Sequence, residues 1–539
     1  MSIEDVANMT IGRVLADRAE TEGDRPFIRW KNDVYSYAEV EQLTNSYANG
    51  FASLGITKGD HVAVILPNCP EILWTIWALG KLGAVVVPIN TGAKGELLRY
   101  FINQSSSISV VVGMQAAEHL GAVADAFPAV RSFFALSDEP DSIADAIPGS
   151  RPVHDLRSLK DASDAQPPLD QTAASDPHLI MYSSGTTGRS KGAISPHSQG
   201  HSVGYKVAQA MNYGREDVLY TCLPLFHVNA LWYSTYAALW ASACVAVSPG
   251  FSASNFWDEV RQSNATAFNS LGAMANILWK LPPSEVDRQH SVRLCLMVPA
   301  PREMHEGFRE RYGIAVTSLY AATETYPVTI FGLADPAEKA GSAGKAPGYS
   351  DVRIVDENDK PLDPGAVGEI CVRPLEPGIM MRGYYQMPDV TVQSTQNLWF
   401  HTGDRGYLDE DGYLFFVDRI KEVIRRRGEN ISAYELELLL CRHPKIAEAA
   451  AIPVPSELGE DEVMVYVVLA AGEDLPYGEL VSFCNDTMPY FMVPRFVEYL
   501  PQLPKTPSEK IEKYKLKERA LETLSQVWDR EKAGIRLKK

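Results

Sequence analysis

Between Met181 and Gly192 the chain reads Met-Tyr-Ser-Ser-Gly-Thr-Thr-Gly-Arg-Ser-Lys-Gly. Apolar Leu179 to Tyr182 reads as a buried strand running into this segment. Glycines at 185, 188 and 192 remove side-chain bulk, and Ser183, Ser184, Thr186 and Thr187 supply hydroxyl donors. Such a loop lets backbone N–H groups crowd around a polyanion, while Lys191 adds a point charge. It is not a Walker A loop, which sets Gly immediately before its Lys; here Ser190 stands there. A short Ser/Gly run would read as a flexible turn. This one reads as a phosphate cradle, Ser183 to Lys191, because residues of matching chemistry lie downstream.

Tyr320-Ala321-Ala322-Thr323-Glu324 follows Val316 to Leu319, a core strand by its composition. It therefore falls at a strand's carboxyl end, where open α/β sheets bind ligands. Glu324 there can hold Mg²⁺ bridging phosphates, and the Thr323 hydroxyl can bond a phosphate oxygen. His401-Thr402-Gly403-Asp404 offers a carboxylate suited to ribose hydroxyls, and Asp418-Arg419 a guanidinium suited to ribose oxygen or phosphate. Lys421, Arg425, Arg426 and Arg427 crowd the stretch before Gly428 and Glu429, where a large anion could dock. Pro504 and Pro507 keep the segment up to Lys510 out of a helix, so Lys510 can be presented to solvent or to a neighbouring domain. Pro224 to His227 and Asn269 to Ala273 follow strands and mix apolar with small residues, which suits a pocket wall. Taken singly, each has an ordinary reading: strand-end cap, turn carboxylate, solvated charge run, surface lysine, satisfied core histidine.

Groups so far apart in sequence need a rigid frame. Ala38 to Leu54 carries Val40, Leu43, Tyr47, Phe51 and Leu54 at helical spacing and stops at Gly55. His61 to Leu66 is a strand, a helix follows with Pro70 in its first turn and Gly83 past its end, and Val85 to Pro88 is the next strand. That β-α-β unit implies parallel pairing with right-handed crossovers. A helix near Glu96 to Ile102 and a strand at Ser109 to Val112 continue the rhythm. Strands at Val218–Leu223, Cys244–Ser248, Ala265–Phe268, Leu294–Val298 and Val316–Leu319 resume it after the loop. The fold class is α/β, a large doubly wound body. Residues 137–177, rich in Asp, Ser, Pro and Ala, read as a surface excursion. From about residue 340, short strands at Val352–Val355, Glu369–Arg373 and Tyr413–Val417 predict a β-rich subdomain. A helix after Ser432, a strand at Val463–Leu469 and a helix near Glu479–Met488 predict a small α+β domain. The expected boundaries are 1–420 and 421–539.

A chain of 539 residues is too long for one core, and a formal charge of −18 argues against nucleic acid or an anionic membrane as the main partner. Seven dispersed cysteines, with no Cys-x-x-Cys and no export signal, predict reduced thiols in a cytoplasmic protein. Val228 to Trp257 carries no Lys or Arg and no acidic residue before Asp258, long enough to span a bilayer. Its polar residues and the Pro249-Gly250 break predict a buried helix followed by a core strand, and no membrane span.

In this order the motifs resemble the adenylate-forming superfamily: acyl-CoA synthetases, carrier-loading adenylation domains and firefly-type luciferases. The resemblance rests on Tyr182–Gly192, Tyr320–Glu324, Gly341–Gly348, Gly383–Tyr385, His401–Asp404, Asp418–Ser432 and Lys505–Lys510, and spans about residues 12 to 515. Stand-alone ligases of the medium-chain and carnitine-CoA type are the most similar. The resemblance implies that Ser183, Ser184, Gly185, Thr186, Thr187, Gly188 and Lys191 hold the ATP β- and γ-phosphates. Thr323 would touch phosphate, Glu324 ligate Mg²⁺, and Asp404 clamp the ribose beside Arg419. Ala300, Pro301 and Tyr320, with Ala321 and Ala322, would flank the nucleotide. Lys510 would bind the substrate carboxylate and the α-phosphate, and Lys421 would be the hinge of a mobile C-terminal domain. Arg427, Gly428 and Glu429 would line the CoA path. His227, Asn229, Trp232, Asn269, Ser270, Gly272 and Tyr326 would line or gate an acyl pocket, with His227 close to the chemistry. A medium-chain, alicyclic or aromatic carboxylate suits such a pocket.

The activity implied is ATP-dependent acyl-CoA synthesis: acyl-adenylate formation with pyrophosphate release, then transfer to CoA. The alternatives are an acyl-adenylate ligase that loads a carrier protein and a non-catalytic nucleotide-binding relative; a homodimer is an open option. The sequence departs from the family pattern at Ser190 (usually Pro), Ala321 (usually Gly), Arg427 (usually the first Gly of a pair) and Glu509 (usually Gly). The first two exchange small for small. Arg427 bears on CoA entry and Glu509 on the placement of Lys510.

Overall fold

The computed structural model describes all residues except 1–5, 139–142, 144–146, 148–150, 184–189, 420–422, 458, 505–510, 512 and 538–539. For 124, 272, 273, 276, 280, 418, 419, 423, 430, 432, 434, 438 and 514 it describes the backbone alone. The chain divides into two compact units. The first comprises Met1–Thr91, Phe101–Tyr182 and Gly192–Asp418; the second comprises Gly92–Tyr100, Ser183–Lys191 and Arg419–Lys539.

The first unit holds two large sheets. A seven-stranded sheet runs in the order Val153–Asp155, Ser132–Leu136, Ser109–Gly113, His61–Ile65, Val85–Pro88, Pro177–Ser183, Lys191–Pro196. An eight-stranded sheet runs Thr329–Phe331, Ala315–Tyr320, Leu294–Val298, Ala267–Leu271, Val218–Thr221, Cys244–Val247, Pro26–Trp30, Asp33–Ser36. Its inner pairs are parallel and its two edge pairs antiparallel. A smaller antiparallel sheet is built from Ser350–Val355, Gly368–Pro374, Trp399–Leu408 and Thr395–Gln396, with Leu414–Arg419 paired to Trp399–Leu408. These are the doubly wound body and the β-rich subdomain that the alternation of patterns predicts.

Local chemistry fixes the elements. Helix Tyr37–Ser53 opens on a reciprocal capping box, Ser36 Oγ accepting from Glu39 N–H at 3.2 Å and Glu39 Oε2 from Ser36 N–H at 2.7 Å. Leu54, read as part of its apolar stripe, is the C-cap and is 39% exposed. Helix Pro70–Leu82 has Pro at its first turn and Gly83 at φ 71° past its end, where a Cβ would be strained. The uncharged stretch after Val228 forms a π-helical Asn229–Tyr236 that runs into helix Ala237–Ala241, then strand Cys244–Val247. Among the described residues no helix is long and apolar enough to cross a membrane. One reading needs correction. Residues 137–177 are not wholly an excursion: Val153–Asp155 extends the seven-stranded sheet in parallel with Ser132–Leu136, and the following turn buries Leu156 and Leu159. A three-residue strand is too short to show a period.

In the second unit, strands Val423–Arg426 and Glu429–Ser432 form a hairpin ahead of helix Ala433–Leu440. A four-stranded sheet follows, ordered Ile446–Pro455, Asp461–Leu469, Phe496–Tyr499, Trp528–Asp529, with helices Tyr477–Thr487 and Lys513–Thr523. The hairpin turn sets Arg427 at φ 53° and Gly428 at φ 81°, the pair of positive angles that favours Gly at both places. Arg427 occupies the strained position and pairs with Glu531 at 3.5 Å. Arg426 is 1% exposed, held by Glu462 at 2.7 Å and donating to the carbonyls of Phe491 and Val493. Burial lowers its pKa to about 10. The basic run is therefore not one docking surface, because Arg426 neutralises an interior carboxylate.

Three histidines of the first unit, His178, His197 and His201, are all but completely buried. His178 and His197 stack at 4.5 Å, and His201 Nε2 lies 2.8 Å from the Met9 carbonyl. Burial pushes His178 and His201 down to about 4, so both are neutral when folded. The unfolded chain takes up protons below about 6.5 and the folded chain does not, so stability falls as pH drops from there toward 4. By pH 5 the loss is on the order of 2 kcal/mol per histidine. Urea denaturation of wild type and His201→Gln at pH 7 and pH 5 checks this, with a smaller pH dependence expected in the variant.

Candidate active site

Three sheets contribute to the site. Strand Ala315–Tyr320 ends at the motif residues, and a turn closes in which Thr325 Oγ1 accepts the Ala322 N–H at 2.9 Å. Tyr320 is buried and its hydroxyl donates to Asp404 Oδ2 at 2.7 Å; Asp404 is buried as well. Asp404 reaches this place through a bulge. Cys371 pairs with His401 and Glu369 with Arg405, so Trp399–Leu408 carries two extra residues over that interval. Gly403, at φ 73°, makes the turn, and Thr402 Oγ1 ties it down by donating to the Ile370 carbonyl and accepting the Asp404 N–H. Bulges of this kind re-aim side chains beside functional sites.

Glu324 is buried and its Oε1 accepts the Tyr384 hydroxyl at 3.0 Å. Burial, and then the Glu324 carboxylate, pushes the Tyr384 phenol up, so it stays a donor. The Glu324 carbonyl accepts from Met381 N–H at 2.9 Å, and Gln199 Nε2 donates to the Thr325 carbonyl at 2.8 Å. Tyr384 sits in a segment that pairs with the strand leaving the glycine loop: Ile194 N–H donates to Gly383 O, Arg382 N–H to Ile194 O, and Tyr385 N–H to Gly192 O. Tyr384 is the residue that sequence reasoning left without a role. The signal was an aromatic in the Gly383–Tyr385 motif, though nothing in the sequence paired it with Glu324. The Gly341–Gly348 segment joins two sheets, since Lys345 bonds Ile330 while Ala343 and Gly344 bond Leu414. A Cβ on Gly344 would fall 1.9 Å from the Ile330 backbone, so only glycine fits.

Of the other predicted residues, Ser183 ends strand Pro177–Ser183 and Lys191 opens strand Lys191–Pro196, both half-buried. Ser184, Gly185, Thr186, Thr187, Gly188, Lys421 and Lys510 lie outside the described residues. Ala300 is buried just past strand Leu294–Val298, and Pro301 caps helix Arg302–Tyr312. Ala321, Ala322 and Thr323 are half-buried. Arg419 ends its strand, and Gly272 begins helix Gly272–Lys280. Glu429 opens the second strand of the small hairpin. Asn269 Nδ2 donates to Asn229 Oδ1 at 2.8 Å and Ser234 Oγ at 3.0 Å, one polar cluster. Ser270 and Tyr326 are fully buried, and His227 is half-buried against Phe226. Trp232 is 1% exposed, and its indole nitrogen packs on Gly200 of helix His197–Ala210. It is a core side chain here rather than part of an open wall.

The Tyr384 hydroxyl is a donor to a buried carboxylate, a bond worth about 1.5–3 kcal/mol. Tyr384→Phe should lower unfolding free energy by an amount of that order, read by chemical denaturation. A Glu324→Gln, Tyr384→Phe cycle should show the two losses to be non-additive.

Comparison with known proteins places this geometry. A family model described as "AMP-binding enzyme" matches residues 15–385, and its C-terminal domain model matches 435–510. Crotonobetaine/carnitine–CoA ligase of Salmonella typhimurium is 32% identical over 492 residues, 90% of this chain and 93% of that protein. Among solved structures, a Mycobacterium tuberculosis fatty acyl CoA synthetase is 27% identical with a TM-score of 0.68, covering 95% of this chain and 99% of that one. ATP-bound MatB of Rhodopseudomonas palustris is 26% identical with a TM-score of 0.66, covering 95% and 99%. With matches that run through both domains, the chain belongs to the AMP-binding, adenylate-forming enzyme family.

Proposed function

We propose that this enzyme is an AMP-forming acid–thiol ligase, which activates a carboxylic acid with ATP and passes the acyl group to CoA. The observation that carries the reading is the pair of buried contacts Tyr320–Asp404 and Tyr384–Glu324. They draw the strand-end motif, the ribose carboxylate and the strand behind the glycine loop into one neighbourhood. The relatives named as CoA ligases support the same chemistry.

In this reading the loop from Ser183 to Lys191 cradles the triphosphate. Asp404 holds the ribose hydroxyls beside Arg419, and Ala300, Pro301 and Tyr320 flank the base. Asp404 Oδ2 takes the Tyr320 hydroxyl, which fixes the direction of the carboxylate. The Glu324 carboxylate, held by the Tyr384 hydroxyl, and the Thr323 hydroxyl are the oxygen donors that would hold an Mg²⁺ ion at the phosphates. When bound, that ion would neutralise charge developing on the phosphates. The substrate carboxylate attacks the α-phosphorus and pyrophosphate leaves, giving the acyl-adenylate. Lys510 neutralises the oxygen charge of that step by electrostatic catalysis. The CoA thiol then attacks the acyl carbon and AMP leaves. We take residues 1–420 and 421–539 as the domains, with Lys421 the hinge that exchanges Lys510 for the Arg427-Gly428-Glu429 turn between the two half-reactions.

Pyrophosphate release over a panel of acids tests the function, including short acids bearing a quaternary ammonium, as in the relatives' names. Thioester formation with CoA against a carrier protein then identifies the acceptor. A folded protein that releases no pyrophosphate from any acid would leave a non-catalytic nucleotide binder. Lys510→Ala should lose adenylation by about 2–4 kcal/mol of transition-state stabilisation while still converting a supplied acyl-adenylate to thioester. Equal loss in both steps would contradict the exchange. Lys421→Pro should do the opposite, sparing adenylation and slowing thioester formation.

A further inference from the structure

The Lys191 end of the glycine loop is anchored by a carboxylate. Ser190 N–H donates to Glu435 Oε1 at 2.5 Å, and the two residues are 6% and 8% exposed. The Ser190 carbonyl accepts the Tyr100 hydroxyl at 2.7 Å, so side chains hold both backbone groups of this residue. Glu435 lies in the first turn of helix Ala433–Leu440, and Tyr100 in helix Gly95–Gln104. The segment around Tyr100 makes two further bonds: Arg442 pairs with Glu96 at 3.3 Å, and the Lys94 ammonium donates to the Asn485 carbonyl. All of these groups belong to the second unit.

One residue makes the anchor possible. The family usually has proline in the place of Ser190, and proline has no N–H to donate. Ser190 supplies the donor, and a carboxylate withdrawn from water gains by taking it. The bond sets one anion against another. In the reading given above, on which this inference rests, the loop from Ser183 to Lys191 cradles the β- and γ-phosphates. Glu435 brings a negative charge onto the backbone of that loop, one residue before Lys191. Like charges brought together in a site withdrawn from water repel far more strongly than in bulk water. AMP has neither a β- nor a γ-phosphate and escapes the repulsion.

We propose that Glu435 is a positioning residue that opposes polyphosphate. Bonded to Ser190, it holds the end of the loop in a form suited to AMP and the acyl-adenylate, and ATP or pyrophosphate binds in full only when that bond opens. Coupling of this kind is reciprocal, so the bond weakens ATP by the factor by which ATP weakens the bond. The consequence is direction. Once pyrophosphate has left, Ser190 takes up Glu435 again. Pyrophosphate is then hindered from returning to attack the α-phosphorus of the acyl-adenylate, which would expel the carboxylate and re-form ATP.

Equilibrium binding of ATP with Mg²⁺, and of AMP, to the full chain without acid or CoA tests this in wild type, Glu435→Gln and Ser190→Pro. Glu435→Gln keeps an oxygen acceptor and removes the charge, whereas Ser190→Pro removes the donor. Both variants should bind ATP about fivefold tighter or more, with the affinity for AMP unchanged. The double variant should gain no more than the better single one, since both act on one bond. Glu435→Gln keeps the test decisive if Ser190→Pro fails to fold. Unchanged ATP affinity in Glu435→Gln, or AMP tightened as much as ATP, would overturn the proposal. A wild type that binds neither nucleotide is a different failure: it would overturn the reading of the site, and the proposal with it.

Discussion

The hydroxyl of Tyr320 on the carboxylate of Asp404 is the contact on which the site depends. Both groups are buried, and a buried carboxylate without a donor would cost several kcal/mol. The bond ties the carboxyl end of a parallel strand to a bulge in a separate sheet, and it can form only if the two sheets are set at a fixed distance. Gly344 sets that distance: its backbone lies so close to Ile330 that no side chain fits, and its carbonyl bonds Leu414. Tyr384 repeats the device on the other side, holding Glu324 to the strand that follows the glycine loop. Two phenols thus do the positioning that flexible charged side chains could not.

An acidic enzyme that binds a polyanion must place its cations with care. With a formal charge of −18, attraction of a nucleotide comes from local groups rather than the field of the whole chain. Sequence makes the basic run after Arg419 look like one such patch. Folding divides it, because Arg426 is committed to Glu462 and two interior carbonyls, and Arg427 is turned to Glu531. The left-handed turn at Arg427 and Gly428 keeps the hairpin geometry that a glycine pair would give more cheaply.

The legible parts of this chain were those with local physical signatures. Pro70 and Gly83 bracket a helix because one fits only a first turn and the other only a left-handed end. Val85–Pro88 and Ser109–Gly113 are short apolar runs between such helices, and parallel pairing follows. The strand-end motif at Tyr320 was legible for the same reason. Other features have no local signature. Val153–Asp155 is too short, and the π-helical Asn229–Tyr236 has the composition of any buried helix. That Trp232 packs inward on Gly200 depends on helix His197–Ala210, which is remote in sequence. The Glu324–Tyr384 and Cys371–His401 pairs arise from sheet register, which spacing alone does not fix.

The claim that Asp404, fixed by Tyr320, reads the ribose can be tested by nucleotide discrimination. Acid-dependent pyrophosphate release should be compared for ATP and 2′,3′-dideoxy-ATP in wild type and Asp404→Asn. The account predicts that wild type prefers ATP at least tenfold in kcat/KM, about 1.4 kcal/mol, and that the variant loses most of that preference. A preference undiminished in Asp404→Asn would contradict it.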